Sequence, residues 1–304
     1  MIEHDNAYSG LLESDDHDRW AFGGDFDDPL AGIDTSVPAG VDRSTLARYC
    51  LTLADDALVS AQRLTQWCTH APELEEEVAL ANIALDLVGQ ARLLFARAAA
   101  ADSALVPVIS STSPVPVDDA LAFFRDASDY RNMRLCELAN GDFAHTVVRM
   151  LLIVTWRSLL FDRLRTSGDP VLSAIADKGL KELTYHRDYA ARWVVVLGNG
   201  TEESRRRTED ALTTLEPYVA ELFATTGDER ELAAAGIAAD PATLADDFER
   251  ILVAILGAAG LVMGSRTGAT PSTPIGRLGE HSDDLTVLLA EMQSVARAHP
   301  EGRW

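Results

Sequence analysis

Apolar and polar positions recur with a helical period in nearly every segment after residue 43. Residues 44–70, STLARYCLTLADDALVSAQRLTQWCTH, predict a long helix with Ser44 as its N-cap. A second is predicted over 73–98, ELEEEVALANIALDLVGQARLLFARA. Pro72 suits its first turn, and Glu73, Glu75, Glu76 and Glu77 place negative charge where the helix dipole favours it. The joint between the two is so short that they predict an antiparallel hairpin. The Ser/Pro/Val stretch 102–117 reads as a loop, followed by a shorter helix over 118–138. A second hairpin, 141–167 and 170–198, turns at Gly168-Asp169-Pro170. Further helices are expected over 201–226, 242–264 and 283–299, with a mobile Gly/Thr/Pro/Ser-rich segment at 265–280. Alternating strand patterns and Asn-Gly or Asp-Gly hairpin turns are scarce. The expected fold is all-α: a four-helix bundle core of two antiparallel helical hairpins, with additional C-terminal helices.

Polar residues inside these apolar patterns mark the candidate site. Asn82, Asp86 and Gln90 share one stripe of the 73–98 helix, whose centre is apolar on nearly every face. A buried Asp86 requires a partner. Folding the first hairpin at residue 71 sets Asp86 level with residue 56, where Asp55 lies on the inward stripe with Gln62 and Asp56 is expected to turn outward. In the second hairpin Lys178, Glu182 and His186 share a stripe. Inward carboxylates on several helices, with a histidine one turn from a glutamate, are the elements of a di-iron carboxylate bundle. Such a site takes a Glu from each of two helices and Glu-x-x-His from the other two. Here Asp55, Asp86, Glu182 and His186 are the only contributors. Gly89 stands where one histidine is needed and Tyr185 where the other is, while helix 141–167 offers only Val154, Thr155 and Trp156 at that level. The set reads as a vestigial metal site without enough donors for two irons.

Lys178 and Lys181 are the only lysines in the chain. A chain that otherwise uses Arg could keep Lys where a compact charge on a thin stem is required, so Lys178 is a candidate buried ion-pair partner at the place of the metal. Asp142-Phe-Ala-His145 has ligand-like spacing but reads as a helix cap with a first-turn histidine. His70, His281 and His299 have no matching ligand spacing, and no phosphate-binding glycine loop or nucleophile elbow is present.

Net charge narrows the partners. At −22 over 304 residues the chain is a poor general binder of nucleic acid or of an anionic membrane. Cys50, Cys68 and Cys136 have neither metal nor redox spacing, which fits a reducing cytoplasm. The N-terminus shows no secretory signal pattern, and the apolar run VVRMLLIVTW is interrupted by Arg149. Residues 1–42 carry eleven acidic residues against Arg19 as the single Lys or Arg before Arg43, predicting a disordered or loosely draped extension that Trp20, Phe22 and Phe26 could anchor.

Several stretches together resemble the structural C-subunit family of the phenylacetyl-CoA epoxidases. They are LADDALVSAQRLTQWCTHAPELEEEVALANIALDLVGQARLL at 53–94, FFRD at 123–126, YRN at 130–132 and NGDFAHT at 140–146. KELTYH at 181–186, WVVVLGNGTEESRRR at 193–207 and LLAEMQSVARAHPEGRW at 288–304 continue the likeness in order. It spans residue 43 to the end, apart from an insertion-like stretch at 265–275. The resemblance implies a ferritin-like domain over 43–304. It also implies a chain that is not itself catalytic and holds no cofactor. Such a chain would support a homologous catalytic A subunit that bears the di-iron site, with a separate reductase supplying electrons. The alternatives are a stand-alone di-iron or mono-iron oxidase and an iron-handling ferritin relative. Long apolar helices also leave room for a homodimer in isolation.

Overall fold

The computed structural model describes residues 32–109, 115–263 and 275–302. The chain divides into two units at Gly32, and all that follows belongs to the second, Ile33–Trp304. The expectation for residues 1–31, including the aromatic anchors, lies outside the described residues. Residues 33–42 belong to the helical unit, where the carbonyls of Thr35 and Ser36 accept hydrogen bonds from Arg97.

Regular structure among the described residues is helical throughout. Helix α1 runs from Arg43 to Thr65, and its cap is Asp42 rather than Ser44: the Asp42 carboxylate accepts from the Thr45 amide. Helix α2 covers Leu74–Ala101. Arg43, at the start of α1, donates to the carbonyl of Ala101 at the end of α2, so the hairpin is antiparallel as expected. The 118–138 segment is not one helix. It breaks into α3 (Val117–Phe123), a 3-10 turn at Ala127–Asp129 and α4 (Arg134–Glu137). The pieces bend because the carboxylates of Asp55 and Asp56 capture the backbone N–H groups of Arg131 and Met133.

The second hairpin is α5 (Phe143–Leu164) with α6 (Pro170–Gly198). Asp142 and Asp169 cap them through the amides of His145 and Leu172, which confirms Asp142-Phe-Ala-His145 as a cap. Helices α5 and α6 approach closely at Gly179, where a Cβ would lie 2.7 Å from the Phe161 ring. Helix α7 (Glu202–Val219) ends in a 3-10 turn, and α8 (Gly227–Ala234) and α9 (Ala245–Ala258) follow. The last expected helix is two, α10 (Asp283–Met292) and α11 (Ser294–Ala298). The core lies inside α1, α2, α5 and α6, with Leu53, Ile83, Leu94, Leu151, Trp156 and Leu183 fully buried. Both α2 and α5 are long and apolar enough to cross a membrane by length and composition alone, and both are bundle helices here.

Candidate functional site

Two groups of polar residues meet where helices of the bundle face one another. The first links α2 to α6. His186 is buried, and its Nε2 lies 2.9 Å from Asp86 Oδ2. The Nδ1 atom is buried without a hydrogen-bond partner, so Nε2 is the ring nitrogen that donates to the carboxylate. Burial lowers the imidazole pKa, opposed by Asp86. One turn along, Gln90 donates to Glu182 at 2.9 Å. Burial raises the Glu182 pKa, the Gln90 hydrogen bond lowers it, and the Asp86 charge raises it further. The amide oxygen of Gln90 accepts from Arg157 Nε at 3.0 Å, so a guanidinium stands behind the pair.

The second group surrounds the acidic dipeptide of α1. Asp55 is fully buried and held by the guanidinium of Arg125 and by the Arg131 amide. Burial opposes the charge on Arg125, but Asp55 beside it wins and the pKa is raised. Asp56, expected on the outside, is 1% exposed. Its Oδ2 takes Arg277 Nη2 at 2.7 Å, and its Oδ1 accepts the Met133 amide at 2.9 Å. Arg277 also donates to the carbonyls of Thr52 and Arg131. This overturns part of the expected mobile segment: residues 264–274 lie outside the described residues, whereas Gly276–Leu278 form a 3-10 turn that delivers a buried cation. Gly276 is necessary there because a Cβ would drive into the Asn132 carbonyl.

Of the four vestigial ligands, the structure therefore joins Asp86 with His186, sets Glu182 one turn away on Gln90, and assigns Asp55 to Arg125. Lys178 is a correction. Its side chain is about half exposed, at 48%, and its Nζ is 4.0 Å from Glu182 Oε1. A buried cation does exist, but it is arginine, in the form of Arg125, Arg157 and Arg277. The planar guanidinium satisfies several acceptors at once, which an ammonium on a flexible stem does less well. The signal in the sequence was Arg inside apolar helical text, as at Arg97, Arg149 and Arg157. His281, to which the sequence assigned no role, is also part of the interior. Its Nδ1 lies 2.7 Å from Glu137 and its Nε2 2.9 Å from the Tyr130 carbonyl.

The donor set does not fit a di-iron carboxylate centre. One imidazole bound to one carboxylate, a carboxylate bound to an amide and three guanidinium groups cannot bridge two cations. Among the described residues no three His, Cys, Asp or Glu side chains are grouped to hold a metal ion.

A bundle of two antiparallel hairpins, with carboxylates on facing helices, defines the ferritin-like class of helical proteins. The chain belongs to the Phenylacetic acid catabolic protein family, whose match covers residues 33–304. It is 40% identical over 263 residues to the C subunit of the 1,2-phenylacetyl-CoA epoxidase of Escherichia coli (strain K12), covering 85% of this chain and 99% of that protein.

Proposed function

We propose that this chain is the non-catalytic structural subunit of a multicomponent phenylacetyl-CoA 1,2-epoxidase, acting in aerobic phenylacetate degradation. Its task is to bind and stabilise a homologous catalytic subunit that bears the di-iron site, with a reductase as a further component. The observation that carries this reading is the set of guanidinium–carboxylate pairs, Asp55 with Arg125 and Asp56 with Arg277, in the part of the bundle where a di-iron protein needs free carboxylates. Such pairs hold a scaffold in one arrangement and take both carboxylates of α1 out of use as metal ligands. A partner is supported by α2 and α6, which expose Leu74, Val78, Leu85, Tyr185 and Val196 between 51% and 71%. The complex works in the cytoplasm, and the same face supports a homodimer when the partner is absent.

Co-expression with the catalytic subunit, followed by size-exclusion chromatography and iron analysis of each chain, tests this. The expected result is one complex with iron on the catalytic chain alone. Separate elution at micromolar concentration, or near-stoichiometric iron on this chain after anaerobic loading, overturns it.

A further inference from the structure

Helix α2 carries two apolar lines. Ile83, Leu87 and Leu94 face the core. A second line runs along the outside, where Leu74, Val78, Asn82, Leu85 and Gly89 succeed one another at intervals of 4, 4, 3 and 4 residues. Leu74, Val78, Asn82 and Leu85 are exposed. A helix that packs on one core alone keeps its outer side polar. An exposed apolar line spaced by threes and fours matches the ridges of another helix. On α6, Lys178, Glu182 and Tyr185 form a line of the same spacing, with Val196 about three turns further on. Asp86 bound to His186 and Gln90 bound to Glu182 hold the two helices side by side, so both lines border one shallow furrow.

Gly89 lies in that furrow next to Gln90. A glycine inside a helix is destabilising relative to alanine. Close packing explains Gly179, where a Cβ would meet the Phe161 ring. At Gly89 a Cβ meets nothing within 4 Å among the described residues, so no contact inside the chain requires the glycine. The notch it leaves is partly exposed and in line with Leu85.

The charges along the furrow bear on what fills it. Glu73, Glu75 and Glu77 flank its Leu74 end, and Asp86 and Glu182 are partly exposed on its floor. Against them stand the exposed Arg192, Lys178 at 4.0 Å from Glu182, and Arg157 behind Gln90. Arg92 and Lys181 pair with Asp118 and Asp177. Carboxylates therefore prevail, most of all at the Leu74 end. A second copy would bring a further net charge of −22 to this face. A helix with an apolar seam and basic flanks complements it.

We infer that the furrow takes one helix of the catalytic subunit, apolar along its seam and basic at its flanks, and that the notch at Gly89 receives a large side chain of that helix. The inference rests on the scaffold reading above and adds the residue that sets how closely the two chains approach. Without a Cβ at 89, the partner helix comes nearer to α2 there than it can at Leu85.

The test titrates the full chain into the catalytic subunit, as wild type and with Gly89→Ala or Gly89→Leu. Both changes fill the notch and leave the core untouched. In the isolated chain Tm is expected to rise by about 1–3 °C for Gly89→Ala and not to fall for Gly89→Leu. The Kd for the catalytic subunit is expected to rise about threefold for Gly89→Ala and at least about thirtyfold for Gly89→Leu. Lys178 and Lys181 are the only lysines, so an amine-reactive ester read by mass spectrometry gives a second measure. Labelling of Lys178 should fall several-fold in the complex. An unchanged Kd for Gly89→Leu, or unchanged Lys178 labelling in a complex that does form, overturns this inference and leaves the scaffold reading standing. An effect of Gly89→Leu confined to self-association of this chain assigns the furrow to a second copy and overturns it too. Failure of the wild-type chain to bind removes the scaffold reading and this inference with it.

Discussion

Arg277 Nη2 lies 2.7 Å from Asp56 Oδ2, a contact between two buried side chains separated by 221 residues. It ties the segment before the last two helices into the middle of α1. Arg277→Met is expected to leave Asp56 buried without its counterion and to lower stability by about 3–5 kcal/mol. The double variant Arg277→Met with Asp56→Leu should be less destabilised than the sum of the single changes, because the orphaned charge is removed with its partner. Urea denaturation of the four proteins of this cycle measures the coupling.

Glu221 holds the same segment from the other side, accepting the Gly276 amide at 2.6 Å and the Arg134 amide at 3.1 Å. Burial pushes its pKa up to about 7. A raised carboxyl pKa means that the folded state disfavours the charged form. Its contribution to stability is full below the unfolded value, about 4.5, and is lost as pH rises through about 7. His281, whose pKa is also raised, acts in the same direction above its ordinary value of 6.5. Stability is expected to fall as pH rises from about 4.5 through about 7, with His281 extending the fall above 6.5, and Glu221→Gln should flatten the lower part of that fall in a Tm-against-pH curve.

His145 behaves oppositely. Burial lowers its pKa to about 4, helped by Arg149. Its contribution is present above the unfolded value of about 6.5 and is lost as pH falls towards 4. His145→Gln should reduce the loss of stability on that acid limb, read from the same Tm curve below pH 6, while leaving the alkaline limb unchanged.

Gly89 sits in the interior of α2 with open space where a Cβ would go. Gly89→Ala is expected to stabilise the isolated chain by about 0.5–1 kcal/mol, the difference in helix propensity. A loss of stability in chemical denaturation would show that the backbone there is not free to carry a side chain.

Gly276 is the contrasting glycine. Gly276→Ala forces a methyl group against the Asn132 carbonyl and should withdraw Arg277 from Asp56. The expected destabilisation approaches that of Arg277→Met, and combining Gly276→Ala with Arg277→Met should add little to either.

The sequence by itself determined the four long helices of the bundle and the way they pair. Hydrophobic period, the caps Asp142 and Asp169, and the turn at Gly168-Asp169-Pro170 are local signals, and they placed both hairpins to within a few residues. It also brought Asp86 and His186 to facing stripes. What the tertiary structure decided is which charge neutralises which. Lys178 shares the stripe of Glu182 and yet lies on the surface, whereas Arg125, Arg157 and Arg277 enter the centre from a broken helix, a bundle helix and a short turn. Asp56 turned inward because the backbone of 131–133 and the guanidinium of Arg277 came to meet it. Helical period comes from hydrogen bonds four residues apart, so it is written in neighbouring residues. The partner of a buried charge is set by close contact between segments hundreds of residues apart, and no local pattern encodes it.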